Sequence, residues 1–322
     1  MRMPLLDVQN LTTYYTIRRG NVKAVEDVSF FLEEGEAMGL AGESGCGKTT
    51  VALSLLGILP ANGEIVHGKI LFKGRDIRQL SEGELKKEIR WKAMSLIFQG
   101  AMNAMNPMYR VEDQIIEAIK VHESKVTKKE AKERIAKLFE MVGLEPERAR
   151  NYPHEYSGGM RQRAMIAMAL ACNPAVLIAD EPGTALDVIV QAQVLKLMNE
   201  LRKKLNLAMI MITHDLSIIS EVCDKLAIMY AGRLVEVGDI FSMFKNPLHP
   251  YTQGLIAAFP GIYAPKQEMK ALPGSPPNLL NPPKGCRFAP RCPYVMDICK
   301  KKTPQLKEAS KSHLVACHLA NK

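Results

Sequence analysis

Apolar and polar positions alternate through the first forty residues. In "LLDVQNLTTYYTI" and "AVEDVSFFLEEGEAMGL", β-branched and aromatic residues recur with the period of half-buried strands. The turn "RRGN" joins them. The pattern then changes. "MGLAGESGCGKTTVALSLLGIL" is a continuous apolar run, a glycine loop and an apolar helix, and "HGKILFKGRDI" predicts another short strand with a turn. Over residues 81–150, "SEGELKKEIRWK" and "TKKEAKERIAKLFEMVGL" predict charged, amphipathic helices. From residue 157 the chain alternates helix and strand: "GGMRQRAMIAMALA", "AVLIAD", "VIVQAQVLKLMNELRKKL", "LAMIMITH". The strands "DKLAIMYAG" and "RLVEVGD" close the pattern near residue 239. Beyond residue 245 prolines dominate, which excludes a long helix or a central strand and predicts an extended arm. The whole reads as an α/β core at 1–245, with a helical insert at about 100–165, followed by a small appendage at 246–322.

Composition narrows the class. With 322 residues, 47% hydrophobic and 24% charged, the chain can bury a sizeable core. No window reaches the ~18 apolar residues of a membrane span, and "MRMPLLDVQN" lacks the apolar stretch of a signal peptide. An intracellular protein that borrows any membrane anchorage from a partner is therefore expected. The net charge of +9 is uneven, since nine Lys or Arg face only Asp297 and Glu308 between Lys284 and Lys322. No aromatic interleaving or nucleic-acid motif accompanies this tail, so no nucleic-acid partner is expected.

The candidate chemistry begins at "GESGCGKT", residues 42–49, which fits G-x-x-x-x-G-K-[ST] between an apolar strand and an apolar helix. Glycines let backbone N–H groups turn inward around phosphates, and the helix N-terminus adds positive potential. Lys48 is placed to reach the β- and γ-phosphates and Thr49 to hold Mg²⁺. "VLIADEP", residues 176–182, ends a buried strand in Asp180, the acid expected beside that Mg²⁺. Glu181 follows it, where a carboxylate can polarise a water against the γ-phosphate. "YSGGMRQR", residues 156–163, reads as a second glycine turn leading into a helix. Two phosphate-binding turns with one complete site suggest that the second serves another subunit's nucleotide.

The order phosphate loop, "IFQ" (97–99), "YSGGM", "LIADE", "TALD" (184–187) and "ITHD" (212–215) resembles the ATP-binding cassette of ABC transporters, over residues 5–240. The resemblance implies a P-loop NTPase fold with an antiparallel β subdomain, a helical insert and a head-to-tail dimer. It implies ATP and Mg²⁺ held by Ser44, Gly45, Gly47, Lys48, Thr49 and Thr50, and a partner's nucleotide met by Ser157, Gly158 and Gly159. By the same resemblance Gln99 contacts Mg²⁺, Glu181 is the catalytic carboxylate, Asp187 crosses the dimer interface and His214 holds the γ-phosphate. Tyr15 would stack on adenine, with Tyr14 the alternative. The chain departs from the usual pattern at Tyr156, Met160 and Gly183, none of which removes the N–H donors of Ser157–Gly159.

"NPLHPYTQGLIAAFP", residues 246–260, resembles the His-Pro-Tyr segment of oligopeptide and dipeptide importer ATPases. That implies peptide uptake through two permease subunits, a second, non-identical cassette, an extracytoplasmic substrate-binding protein, and a peripheral position at the cytoplasmic membrane face. Nickel and oligosaccharide importers share this class. A soluble ABC-type ATPase acting on nucleic acid or ribosomes is the alternative, although those usually carry two cassettes or a long coiled-coil insert. Cys286, Cys292, Cys299 and Cys317 have the spacing C-x5-C-x6-C-x17-C. Zinc with His313 or His318, disulfides and a [4Fe–4S] cluster all remain open on residues alone, although zinc sites usually show a C-x2–4-C pair, and a reducing cytosol disfavours disulfides. Four irregularly spaced thiolates suit an iron–sulfur cluster, and dipeptide-importer ATPases are known for one.

Overall fold

The structure, a computed structural model, describes residues 3–100, 104–258 and 274–320. Two compact units are present. The first comprises Met1–Leu32, Ala37–Asp76 and Ile212–Lys322, and the second Glu33–Glu36 and Ile77–Met211. In chain order the strands are β1 (Leu6–Ile17), β2 (Gly20–Leu32), β3 (Ala37–Ala41), β4 (Gly63–Phe72), β5 (Arg75–Asp76), β6 (Met94–Ile97), β7 (Val176–Asp180), β8 (Ala208–Ile212), β9 (Lys225–Tyr230), β10 (Arg233–Asp239), β11 (Lys307–Ser310) and β12 (His313–Val315).

In the first unit the alternating N-terminal residues form an antiparallel sheet in the order β2-β1-β4-β5. Its inward positions include Leu6, Val8, Val25 and Val28, all buried. A bulge interrupts β1 between Val8 and Leu11, where Asn10 takes φ 51°, the left-handed region that Asn tolerates better than most residues. The unit's second sheet runs β11-β12-β10-β9-β3. Every residue of β3 is buried, and β3 pairs parallel to β9, as expected of a strand that reads as one apolar run.

The C-terminal segment departs from the expected extended arm. Pro250 opens a helix, Pro250–Ala257, at the one helical position where its missing N–H costs nothing. After residue 273 the chain adds β11 and β12, and β12 pairs antiparallel with β10 through Glu236↔Val315 and Val237↔Leu314. The segment thus extends the unit's own sheet. The part of the proline-rich run at 259–273 lies outside the described residues.

In the second unit β8, β7 and β6 are neighbours in that order, with β6 parallel to β7. β7 and β8 are buried along their whole length. Four longer helices accompany them: Val111–His122, Lys128–Met141, Gly158–Ala169 and Val188–Leu205. A capping box of Thr127 and Glu130 starts the second of these. "SEGELKKEIRWK" yields less helix than its pattern predicts. A capping box at Ser81 and Glu84 starts one turn, a wide turn follows at Leu85–Ile89, and the chain turns out at Arg90 and Trp91, the latter at φ 68°. Among the described residues, no helix is long and apolar enough to cross a membrane.

Candidate functional site

The phosphate loop follows β3 and ends at the helix Lys48–Leu56. Gly47 sits at φ 109°, and a Cβ there would lie 2.2 Å from the Ala24 carbonyl oxygen. At Gly42, φ 151°, a Cβ would lie 2.1 Å from the Met229 carbonyl oxygen. Both positions therefore require glycine. Lys48 is buried and folds back over the loop, donating to the carbonyls of Gly42 at 2.7 Å and Glu43 at 3.1 Å. Ser44, Gly45 and Thr49 form the loop's exposed face. The Tyr15 hydroxyl donates to Thr50 Oγ1 at 3.2 Å. Tyr14 instead points its hydroxyl at Glu26, 3.5 Å away. His214 follows β8 and is exposed.

In the second unit, Asp180 ends β7 and is buried. Glu181 takes φ 47°, left-handed backbone that is strained for a non-glycine residue. Its carboxylate Oε2 accepts from the Gln99 amide at 3.0 Å and from the Thr184 hydroxyl at 3.0 Å. The structure thus brings together Gln99 and Glu181, which lie 82 residues apart in sequence. Ser157, Gly158 and Gly159 do not form a separate turn. Ser157 is the N-cap of Gly158–Ala169, accepting from the Met160 N–H at 3.3 Å, and the two glycines are its first helical residues. Their N–H groups are among those a helix leaves without intrahelical partners. Asp187 caps the helix Val188–Leu205, accepting from the Val190 N–H at 2.9 Å.

Cys286, Cys292, Cys299 and Cys317 line one small cavity with His249, Phe288, Met296 and His318. The Cys286 N–H donates to the Cys299 carbonyl at 2.7 Å. A Cβ on Gly285 would meet that oxygen at 2.2 Å, so the two strands of chain approach as closely as glycine allows. Burial, with the neighbouring Cys299 and Cys317, pushes the Cys286 thiol up to about 11, and burial also raises Cys292. Among the described residues, no disulfide joins any of the cysteines. Among the described residues, no three Cys, His, Asp or Glu are grouped as ligands of a single metal ion. The soft sulfur donors of four cysteines on one cavity are of the type that thiolate-bound groups use.

Sequence reasoning missed the residues that tie this module down. Glu236 on β10 is wholly buried and accepts from the N–H groups of Leu248 at 2.7 Å and His249 at 2.9 Å. His313 Nε2 lies 2.7 Å from the same carboxylate. His249 Nδ1 accepts from the Tyr251 N–H at 3.0 Å, and burial pushes the imidazole down to about 3, so it stays neutral. Arg287 bonds Glu26 at 2.6 Å and also the Ala231 carbonyl. Burial alone would raise Glu26, but the Arg233 hydrogen bond and the charge of Arg287 outweigh it and hold the carboxylate below its ordinary range. Arg291 clamps Glu43 of the phosphate loop through two hydrogen bonds, at 2.8 and 2.9 Å. In the sequence Arg287 and Arg291 are only part of a basic tail.

A parallel-sheet core, a phosphate loop on its strand-to-helix turn and an acid pair ending a buried strand define an ABC-type ATPase. The sequence profile of the ABC transporter family matches residues 25–184, and that of the oligopeptide/dipeptide transporter C-terminal region matches residues 235–299. The oligopeptide transport ATP-binding protein OppD of Escherichia coli is 48% identical over 97% of this chain and 92% of its own. The dipeptide transport ATP-binding protein DppD of Caldanaerobacter subterraneus is 42% identical over 98% of this chain and 97% of its own. Among solved structures, cbiO1 of Clostridium perfringens, part of an ABC transporter complex, superposes with TM-score 0.66 at 27% identity, covering 76% of this chain and 92% of its own. A dimeric ATP-binding cassette bound to ADP and phosphate gives TM-score 0.65 at 24% identity, covering 73% of this chain and 98% of its own, a likeness of fold. The chain belongs to the family of ABC transporter ATP-binding subunits of the oligopeptide and dipeptide class. Membership makes it an ATPase whose hydrolysis is coupled to transport.

Proposed function

We propose that this chain powers uptake of di- or oligopeptides from the cytoplasmic face of the membrane, hydrolysing ATP in a head-to-tail pair with a second, non-identical cassette and driving two permease subunits. An extracytoplasmic binding protein would deliver the peptide. The observation that carries its hydrolytic part is the Gln99–Glu181–Thr184 arrangement, a carboxylate held in strained backbone directly after Asp180, while the likeness to oligopeptide and dipeptide transport ATP-binding proteins carries the peptide part.

The roles follow from the chemistry of each group. Lys48 and the N–H groups of Ser44, Gly45 and Gly47 neutralise and orient the phosphates, with Thr50 completing the cradle. Thr49, Gln99 and Asp180 would hold Mg²⁺, which supplies charge neutralisation between the β- and γ-phosphates. Glu181 orients the attacking water and accepts its proton, while His214 donates to the γ-phosphate. Tyr15 stacks on adenine; its hydroxyl bond to Thr50 favours it over Tyr14, which is engaged with Glu26. Ser157, Gly158 and Gly159 present N–H groups to the partner's γ-phosphate, and Asp187 crosses to the partner. Val188 and Ile189, beside Asp187, are 81% and 73% exposed, as an uncovered cassette interface requires. Phe98, Met108 and Tyr109 are exposed and would meet the permeases. The division of labour follows residues 1–245 for the cassette, with its insert at about 100–165, and 246–322 for the extension.

Cys286, Cys292, Cys299 and Cys317 would hold one [4Fe–4S] cluster, which supplies covalent bracing of the C-terminal module. That all four line one small cavity supports this.

The test is transport itself. The purified complex in proteoliposomes should accumulate labelled di- or oligopeptide only with ATP on the side of this subunit. ATP-dependent uptake of nickel or oligosaccharide without peptide would overturn the substrate class.

A further inference from the structure

The strongest unassigned feature lies where the C-terminal module touches the phosphate loop. Glu43 is the loop's second residue, and neither the loop pattern nor the roles above give it work. Yet it is held from two sides by the C-terminal segment. Arg291 grips both carboxylate oxygens, Nη1 to Oε2 at 2.8 Å and Nη2 to Oε1 at 2.9 Å. The Tyr251 hydroxyl accepts from the Glu43 backbone N–H at 3.0 Å. The Glu43 carbonyl in turn receives Lys48 Nζ at 3.1 Å, so the same residue connects this grip to the phosphate-binding lysine.

Neither gripping group is loose. Arg291 is buried, its guanidinium lies 5.7 Å from the Tyr230 ring centroid and 6.0 Å from that of Phe288, and it donates to the Tyr230 hydroxyl at 3.3 Å. Tyr251 is wholly buried and packs on Tyr230 and Phe288 at 4.6 and 5.4 Å between centroids. Arg291 also sits on a one-turn 3₁₀ helix, Ala289–Arg291, bracketed by Cys286 and Cys292. A bidentate arginine–carboxylate pair adds direction as well as energy. An aromatic wall removes the freedom the guanidinium would otherwise have.

We propose that Arg291 and Tyr251 are positioning residues for the phosphate loop, so that the state of the four-cysteine module sets the chain's affinity for nucleotide. This rests on the reading of residues 42–49 as the nucleotide-binding loop. Arg291 touches no substrate atom; it acts through Glu43, which fixes the carbonyls on which Lys48 rests. Loss of Arg291 leaves Lys48 and the loop N–H groups in place but no longer pre-set, which raises Kd and KM for ATP while leaving the Glu181 step unchanged. Loss of Cys292, a ligand of the proposed cluster next to this turn, would unpin Arg291 and reach the same end, an arm that rests on the cluster reading as well.

The experiment measures Mg-ATP affinity of the full chain with a fluorescent ATP analogue, beside KM and kcat of the assembled transporter. Arg291→Ala and Glu43→Gln should each weaken binding about tenfold, the loss of roughly one charge-assisted hydrogen bond. The double variant should be no worse than either, because the two side chains act as one unit. KM should rise with kcat within about twofold, since the group acts on binding shared by ground and transition states. Tyr251→Phe keeps the ring and loses the oxygen, so it should give a smaller increase in Kd at unchanged melting temperature. Cys292→Ser should match Arg291→Ala, and combining them should add nothing. Lys48→Ala is the control: if it leaves binding intact, the phosphate-loop reading itself fails. If Lys48→Ala abolishes binding while Glu43→Gln and Tyr251→Phe bind like wild type, the positioning role is overturned. Those two variants decide the matter even if Arg291→Ala does not fold.

Discussion

Glu181→Gln should bind Mg-ATP normally and turn it over slowly, with the rate falling about 10²–10⁴-fold, the usual contribution of a positioned acid–base group. The substitution preserves size and reach. The amide can still accept from Gln99 and Thr184, which now hold Oε2 at 3.0 Å each. The backbone at φ 47° is as accessible to Gln as to Glu. What disappears is the capacity to take a proton from water at neutral pH. Structure and nucleotide affinity should therefore survive while the chemical step does not. Single-turnover hydrolysis of radiolabelled ATP separates the two, and a rate within a few-fold of wild type would move catalysis away from Glu181.

Protein purified without oxygen should be brown, absorb broadly near ~400 nm and contain about four irons per chain, as a thiolate-held cluster requires. Changing any one of Cys286, Cys292, Cys299 or Cys317 to Ser should bleach it. Each lines the same cavity, and Cys299 and Cys317 are buried. Serine offers a hard oxygen where soft sulfur is needed. The module has other anchors, namely Glu236 to the His249 N–H and Arg287 to Glu26, so the variant should loosen at residues 285–317 without unfolding the chain. Limited proteolysis should then cut there first. Nucleotide binding should weaken without vanishing, because Lys48 still contacts the loop. Stoichiometric zinc without iron in anaerobic protein would contradict the assignment.

The legible parts of this protein are those where local sequence dictates backbone. Gly42 and Gly47 announce the phosphate loop because only glycine clears the neighbouring carbonyls. β3 and β7 announce themselves as buried apolar runs. The helix after Ser157 was legible in the sequence, although its glycines are helical residues rather than a separate turn. The illegible parts depend on partners far along the chain. Arg291 meets Glu43 across 248 residues, and Arg287 meets Glu26 across 261. No periodicity encodes such pairs, and in composition they count only as surface charge. The proline-rich extension misled for a related reason. Pro250 reads as a breaker, yet at the first helical position it starts a helix. β11 and β12 are short and gain their order from pairing, β12 with β10 and β11 with β12, rather than from their own pattern.

The central claim is that this cassette completes its nucleotide site only with a second cassette. Light scattering coupled to ATPase assay tests it most directly. The isolated chain should be monomeric and nearly inactive, because the N–H groups of Ser157–Gly159 have no partner nucleotide to meet. Adding the second cassette should raise dimer mass and hydrolysis together. Full ATPase activity in a strictly monomeric state would contradict the account.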